Sequence, residues 1–182
     1  KKIFELYMAK GGKFIKKDIL SLKQTGNNKT VIKSLNKEYD FEKSVIASGA
    51  FSKKLTDQLE ENIPLDTERG YHVHFKDKES LLTSPVICMD NGFGMTPMNQ
   101  GLRAVGTVEF GGLNNPPTKK RIKYLLRCAK NLLPQLENCI HEDEWLGFRP
   151  TLPDFLPILG PSLKNKNIVY AFGHDHLGWT LG

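Results

Sequence analysis

The chain has 182 residues, of which 39% are hydrophobic and 25% charged, a composition that is typical of folded globular proteins and argues against disorder. The formal net charge is +6. Lysine and arginine are nevertheless spread along the sequence and are not gathered with aromatic residues into one run, so we expect no nucleic-acid partner.

Cysteine usage and hydropathy indicate a cytoplasmic protein. The three cysteines, Cys88, Cys128 and Cys139, have no C-x-x-C spacing, which argues against a disulfide framework or a zinc site and fits a reducing compartment. No apolar stretch approaches the roughly 20 residues that a transmembrane helix needs, and no signal-peptide pattern opens the sequence. The basic charge leaves peripheral contact with the inner membrane open.

The first third of the chain predicts a hairpin, then a strand that leads into a short helix. The segment 25–28, Thr-Gly-Asn-Asn, consists of residues that tolerate the positive φ angles of tight turns. Gly49 ends the third apolar run, and apolar residues at helical spacing follow it. In chain order, the hairpin strands are 14–22 and 31–35, the third strand is 45–47 and the helix is 51–59.

The middle of the chain predicts an antiparallel sheet. Between residues 71 and 75, large apolar side chains alternate with two histidines, as in a half-buried strand. Asn91-Gly92 is a typical hairpin dipeptide. The strands expected beside the first one are 85–90, 93–98 and 102–110.

A long helix and a final strand complete the expected fold. Thr118 can cap a helix whose apolar residues recur at helical spacing as far as 133, where Pro134 ends it. A strand at 168–172 is followed by a glycine-rich segment. The predicted fold class is therefore α+β in two lobes, with one long helix packed on the antiparallel sheet of the first lobe and the remaining strands and short helix forming the second.

Self-sufficient catalytic motifs are absent from the sequence. It contains no G-x-G-x-x-G, G-x-x-x-x-G-K-[ST], H-E-x-x-H or G-x-S-x-G pattern. Two His-x-His pairs occur, His72 with His74 and His174 with His176, but neither has a third ligand nearby in sequence. We therefore predict no metal site.

Three separated segments carry a family resemblance. Residues 45–52 read V-I-A-S-G-A-F-S, where small residues allow a backbone to approach a ligand closely. Residues 145–161 contain G-x-R-P-x-x-P-D-x-x-P-x-x-G, and residues 167–180 contain G-H-x-H-x-G with Asp175 between the histidines, where glycine is common. Together these segments resemble the FAD-dependent D-amino acid oxidase superfamily, and most of all its D-amino acid dehydrogenase type.

The resemblance implies an FAD-dependent oxidoreductase whose substrate is a small amino acid. In such enzymes a hydride passes from the substrate Cα to flavin N5 and the imine product is hydrolysed, so no acid–base catalytic residue is expected. The resemblance does not identify the electron acceptor. It implies that the substrate ligands are Arg149, Tyr71 and His176. The residues implied to bind FAD are Ile19, Ala47, Ser48, Gly49, Ala50, Gly173, His174, Gly178, Trp179 and Thr180.

Residue chemistry leaves alternatives for two of these residues. The planar guanidinium of Arg149 suits a carboxylate, and the following Pro150 restricts its backbone, but arginine also forms surface salt bridges. Tyr71 lies in an alternating strand, so it is a substrate-facing residue or part of the core.

The resemblance also implies a domain organisation. Residues 1–62 would be the C-terminal-side part of an FAD-binding domain, 63–144 the substrate-binding domain, and 145–182 a return to the FAD-binding domain. Because the nucleotide-binding motif is missing, we expect a C-terminal fragment that is inactive and free of FAD when isolated. The alternatives are an enzyme of the sarcosine or glycine oxidase branch and a non-enzymatic binding module that uses the proline-rich segment 150–161 or the basic surface.

Overall fold

The computed structural model describes residues 1–25 and 29–181. None of the helices in these residues is long and apolar enough to cross a membrane. The helices are α1 (Lys2–Ala9), α2 (Lys53–Thr56), α3 (Lys119–Leu132) and α4 (Gly178–Leu181), and the strands are β1 (Ile19–Thr25), β2 (Lys29–Ser34), β3 (Glu38–Phe41), β4 (Ser44–Ile46), β5 (Asp66–Phe75), β6 (Val86–Cys88), β7 (Phe93–Met98), β8 (Gly101–Phe110), β9 (Glu142–Thr151), β10 (Ile158–Pro161) and β11 (Ile168–Phe172).

The predicted antiparallel sheet is confirmed, and it contains one strand more than expected. Its order is β6-β7-β8-β5-β9, and all of its neighbouring strands are antiparallel. The additional strand, β9, contains the first part of the proline-rich signature and pairs with β5, so that Arg149 lies opposite Glu68. The proposed domain boundary at residue 145 stays a prediction, and β9 crosses it.

Helix α3 packs on this sheet as predicted. Its buried side chains join those of β5, β7 and β8 in one hydrophobic core, with Leu125 completely buried. Thr118 occupies the N-cap position, but its side chain does not cap the helix. The Thr118 hydroxyl instead donates a 3.1 Å hydrogen bond to Glu109 on β8, because the adjoining strand places a carboxylate within reach.

Two three-stranded sheets form the second lobe. One is β1-β2-β3, in which the predicted hairpin of β1 and β2 is confirmed, while its predicted turn at 26–28 lies outside the described residues. Residues 14–18, predicted as strand, precede β1. The other sheet is β10-β11-β4, whose central strand β11 pairs with β4 in parallel. The short helix predicted at 51–59 is α2 flanked by two 3₁₀ turns, Gly49–Phe51 and Asp57–Leu59.

Candidate cofactor and substrate site

The parallel pairing of β4 and β11 brings two of the signature segments to one edge. Ser44 lies beside Ile168 and Ile46 beside Tyr170, so the carboxyl ends of both strands meet at the same side of the sheet. Ligands of open α/β sheets bind at this kind of edge. The sequence alone does not show this proximity, because all the strands of the antiparallel sheet come between β4 and β11 in the sequence.

The segment after β4 presents small residues and open backbone. Ala47 and Ser48 are exposed, and Ala50 is buried. Gly49 has φ of 55°, and no atom lies within 4 Å of the position that a Cβ would occupy. This segment therefore leaves room for a ligand to approach the main chain.

A cavity of about 410 Å³ adjoins this segment. Ile19 and Ser48, which are far apart in the sequence, both line it, as expected if both residues bind FAD. Four of its eight lining residues are aliphatic or aromatic, and the other four are two lysines, one aspartate and one serine. The lining residues are Lys17, Asp18, Ile19, Leu20, Ser48, Phe51, Lys54 and Leu55.

The segment after β11 begins at a glycine that no other residue could replace without strain. Gly173 has φ of 87°, and a Cβ there would lie 2.6 Å from Leu152 Cδ1. Asp175 also has a positive φ, 49°. Aspartate tolerates the left-handed region better than most residues, which explains how it can stand where the family pattern commonly has glycine.

Asp175 links this segment to the end of β9 through hydrogen bonds. Its backbone N–H donates to the Pro150 carbonyl at 3.0 Å, and its carboxylate accepts hydrogen bonds from the Thr151 hydroxyl at 3.0 Å and from Nδ1 of His176. Burial raises the pKa of Asp175, but the hydrogen bonds from His176 and Thr151 outweigh it, so that the pKa lies below its ordinary value. The carboxylate is therefore held ionised and orients the His176 ring.

Arg149 lies between the two contacts that β9 makes with the edge segments. Phe148 packs against Phe51, with ring centroids 6.1 Å apart, on one side of it in sequence, and the Asp175 contacts follow on the other. The Arg149 guanidinium lies over Gly70, since a Cβ on Gly70 would be 3.1 Å from Arg149 Nη2. Its Nη1 is 3.7 Å from Glu68 Oε2, and about a third of the side chain is exposed.

The alternation of β9 places Arg149 and Thr151 on the same face of the strand. Thr151 contacts Asp175, so the guanidinium and Asp175 lie on the same side of β9. Glu68 neutralises part of the guanidinium charge, yet a planar group with five N–H donors retains donors for a carboxylate. The salt-bridge alternative is thus observed, and it does not preclude substrate binding.

Tyr71 lies in the core, one of the two alternatives that the sequence left open. It is 1% exposed and belongs to the α3–sheet core. Its hydroxyl donates to Glu109 and accepts hydrogen bonds from Arg69 Nη2 at 3.2 Å and from the Thr118 N–H at 3.0 Å. Because these groups occupy the hydroxyl, we do not propose Tyr71 as a substrate ligand.

The remaining predicted cofactor residues lie at the same edge. His174 is half-buried directly after Gly173. Helix α4 follows with Gly178, Trp179 and Thr180, all exposed, and Trp179 is 92% exposed. Their contact with FAD stays a prediction.

The two histidines of β5 occupy a different part of the antiparallel sheet. His72 stacks on Trp145 with centroids 4.7 Å apart. Burial lowers its pKa to about 4, with further lowering by His74 and Arg103. Within 1–25 and 29–181, no three histidine, cysteine or acidic side chains are grouped to hold a metal ion.

Sequence reasoning missed a buried charge network at the end of β5. Arg69 is 1% exposed and lies 3.4 Å from Glu109. Arg69 also donates to the carbonyls of Gly111 and Pro116 at 3.1 and 2.7 Å, which fixes the loop before α3. Arg121 of α3 completes the network with a 2.8 Å bond to Glu109. The available signal was an arginine in phase with the apolar residues 71, 73 and 75.

Comparison with known proteins decides the family. Residues 2–182, nearly the whole chain, match the family described as FAD dependent oxidoreductase. The chain belongs to this FAD dependent oxidoreductase family. It is 37% identical over 174 residues to a D-amino-acid oxidase of Bradyrhizobium diazoefficiens, covering 94% of this chain and 41% of that protein. It is 29% identical over 166 residues to a D-amino acid dehydrogenase of Vibrio atlanticus, covering 90% and 40%.

The FAD dependent oxidoreductase fold is also found among solved structures. Glycine oxidase from Geobacillus kaustophilus superposes with a TM-score of 0.77 at 23% identity, covering 88% of this chain and 43% of that one. This likeness shows the α+β fold that the sequence predicted. The chain spans about 40% of the length of the curated relatives it matches.

Proposed function

We propose that this chain is the C-terminal part of an enzyme that oxidatively deaminates amino acids with FAD, in the manner of a D-amino acid dehydrogenase. The observation that supports this most directly is the position of Arg149. Its side chain is about a third exposed, and it lies on the same face of β9 as Thr151, which contacts Asp175 in the segment after β11. A substrate carboxylate held there would lie beside that segment.

The residues at this edge fit the flavin cofactor of the family. The open space beside Gly49 and the exposed Ala47 and Ser48 allow a bulky ligand to approach backbone amides. The cavity beside Ile19 and Ser48 has apolar walls for a planar ring and lysines for anionic groups. Ile19 and the 47–50 segment would hold one part of FAD, and Gly173, His174 and the 178–180 segment another.

When bound, FAD would supply the hydride acceptor for oxidation at the substrate Cα. The chain's own residues would bind and orient the substrate and exclude water from it. Arg149 would fix the carboxylate through two parallel hydrogen bonds. His176, oriented by Asp175 on the same face, would border the amino group. No acid–base residue is required, because the amine needs only to be neutral at hydride transfer.

The alternative within the family is oxidation of glycine or sarcosine, since glycine oxidase shares this fold. Stopped-flow reduction of the flavin in the full-length enzyme separates the two functions. We expect D-alanine to reduce the flavin faster than glycine, sarcosine or L-alanine. Faster reduction by sarcosine or glycine would favour the alternative, and no reduction by any amino acid would overturn the proposal.

A further inference from the structure

The positive charge of this chain is concentrated on helix α3. The helix carries six of the 26 lysine and arginine residues and none of the 20 acidic ones, which leaves 20 cations and 20 anions in the rest of the chain. This one helix of 14 residues therefore carries a net charge of +6, which equals the net charge of the whole chain. The six cations are Lys119, Lys120, Arg121, Lys123, Arg127 and Lys130.

Helix geometry collects most of these cations on the outer face. An α-helix turns about 100° per residue, so five of the six cations fall within an arc about 100° wide. The exception is Arg121, which is paired with Glu109. The buried residues of the helix lie on the opposite side and contact the sheet; they are Ile122, Leu125, Cys128 and Ala129. The outer face thus presents a single sign of charge.

The five outward cations have no carboxylate partner within the described residues. Arg127 lies over the Tyr124 ring, 5.4 Å from its centroid, and Lys130 donates to the Glu137 carbonyl. Neither contact neutralises charge. A row of unneutralised cations on a rigid helix produces a strong local positive potential, which attracts an anionic surface.

Apolar side chains flank this face. The Tyr124 hydroxyl donates to the Asn91 carbonyl at 2.8 Å, which places the β6–β7 connection beside the helix. Met89 in that connection is 82% exposed, and Ile87 in the preceding strand β6 is 72% exposed. Cations beside protruding apolar side chains are typical of proteins that rest on lipid headgroups with shallow insertion.

The N-terminal residues 1–17 carry a second excess of lysine, six against one glutamate. Helix α1 buries none of its side chains, and it lies at one end of a chain that spans about 40% of its relatives' length. Its exposure is therefore not evidence of a free surface. Helix α3 differs, because its buried residues pack in the core of the antiparallel sheet and its outer face is charged, whereas α1 exposes apolar side chains.

We infer that the outer face of α3 is a docking surface for an anionic phospholipid bilayer. This inference is independent of which amino acid the enzyme oxidises. Bound lysines would lie at the headgroups, and Met89 would contact the acyl boundary. Attraction of this kind falls off within a Debye length and weakens with salt.

Co-sedimentation of the full-length enzyme with vesicles tests the inference. Vesicles of equal parts phosphatidylglycerol and phosphatidylcholine should bind it, and pure phosphatidylcholine should not. Each lysine near an anionic surface contributes roughly a fivefold change in partition. The triple variant Lys119→Gln, Lys120→Gln, Lys123→Gln should therefore lower the partition constant about 100-fold, and 0.5 M salt should release the wild type.

The matched control is Lys10→Gln, Lys13→Gln, Lys16→Gln, which removes the same charge from another part of the chain. It should lower binding only a fewfold. Met89→Gln should also weaken binding without any change of net charge. Both triple variants replace exposed side chains, and unchanged thermal unfolding would show that they fold.

Three outcomes would overturn the inference. They are failure of the wild type to bind anionic vesicles, equal losses in both triple variants, and stronger binding to an acidic polymer such as heparin than to vesicles with the same dependence on α3. The last outcome would assign the face to a different anionic partner. Flavin reduction by substrate should be unchanged in the α3 variant, which keeps this test separate from that of the catalytic proposal.

Discussion

Thr151 donates a 3.0 Å hydrogen bond to the carboxylate of Asp175, which joins the end of β9 to the segment that follows β11. The Asp175 side chain is 8% exposed and also accepts from Nδ1 of His176. The antiparallel sheet and the β10-β11-β4 sheet are thus linked through one carboxylate, whose partner Thr151 is two residues from Arg149 along β9. Its removal has effects that depend on pH.

We predict that Asp175→Asn lowers the free energy of unfolding at pH 7 by about 1.5 to 3 kcal/mol, because a hydrogen bond to a charged group contributes that much. The folded pKa of Asp175 lies below the ordinary 3.8. Its contribution is therefore present above pH 3.8 and lost as the pH falls through the folded pKa. Urea unfolding at pH 7 and at a pH about one to two units below 3.8 should show a smaller difference between wild type and variant at the lower pH. A difference that does not vary with pH would contradict this.

We predict that Arg149→Lys raises the Michaelis constant for the amino acid at least about tenfold and leaves flavin content unchanged. A lysine cannot form two parallel hydrogen bonds with a carboxylate, and a charged hydrogen bond contributes roughly 1.5 to 3 kcal/mol. Steady-state kinetics of the full-length enzyme measure this, with Arg127→Lys on α3 as the control. Equal Michaelis constants would remove Arg149 from the substrate site, and loss of flavin would assign it to cofactor binding or folding.

We predict that Gly173→Ala destabilises the protein by more than Gly112→Ala. Both glycines have positive φ, 87° and 64°, so each alanine has a backbone strain of about 1 kcal/mol. Only at Gly173 would the added Cβ also meet Leu152, and overpacking adds about 1 to 3 kcal/mol. Thermal unfolding of the two variants compares them directly, and equal shifts in Tm would show that Leu152 moves aside.

We predict that Glu109→Gln destabilises the fold by about 3 to 5 kcal/mol, because it leaves Arg69 buried without its counter-ion. Burial raises the pKa of Glu109, but hydrogen bonds from Tyr71, Arg121 and Thr118 lower it by more, so the carboxylate is ionised at neutral pH. Glu38→Gln is the matched control, since its pair with Lys33 is exposed and should contribute less than about 1 kcal/mol. Chemical denaturation that shows similar losses for both variants would refute the prediction.

We predict that the 182-residue chain purified alone does not retain FAD, because its sequence has no G-x-G-x-x-G turn to hold the pyrophosphate. Its absorbance near 450 nm after gel filtration should be at baseline, whereas the full-length enzyme should be yellow. Stoichiometric flavin on the short chain would show that the 47–50 and 173–180 segments suffice.

Local patterns predicted the antiparallel sheet and α3 because both depend on short-range periodicity. The alternation from Tyr71 to Phe75 and the Asn91-Gly92 turn are visible in a few residues. Strand β9 was missed because Pro150 argues against a strand, yet β9 is an edge strand, where a missing N–H is tolerated. The role of Thr118 was wrong in detail for a similar reason, since its partner Glu109 comes from another element.

The family signatures identified the segments of the site, but hydrophobic periodicity and turn motifs did not predict that these segments lie together. Nothing in the sequence places Asp175 beside Thr151, because that contact depends on how two sheets meet, or Arg149 over Gly70, because that contact depends on the pairing of β9 with β5. The cationic face of α3 was hidden for another reason. Lysines occur throughout the chain, and α3 is distinguished by six cations and no acidic residue within its 14 residues.

The parallel pairing of β4 with β11 also limits the order in which the molecule can fold. Ser44 cannot pair with Ile168 until Ile168 has been synthesised, and the strands of the antiparallel sheet come between the two residues in the sequence. Helix α3 and β5 to β8 involve shorter loops, so they can associate first, and closure of the parallel pair is the late step with the largest entropic barrier. The ligand-binding edge therefore forms after that sheet, and during synthesis β4 stays unpaired on that side until β11 has emerged.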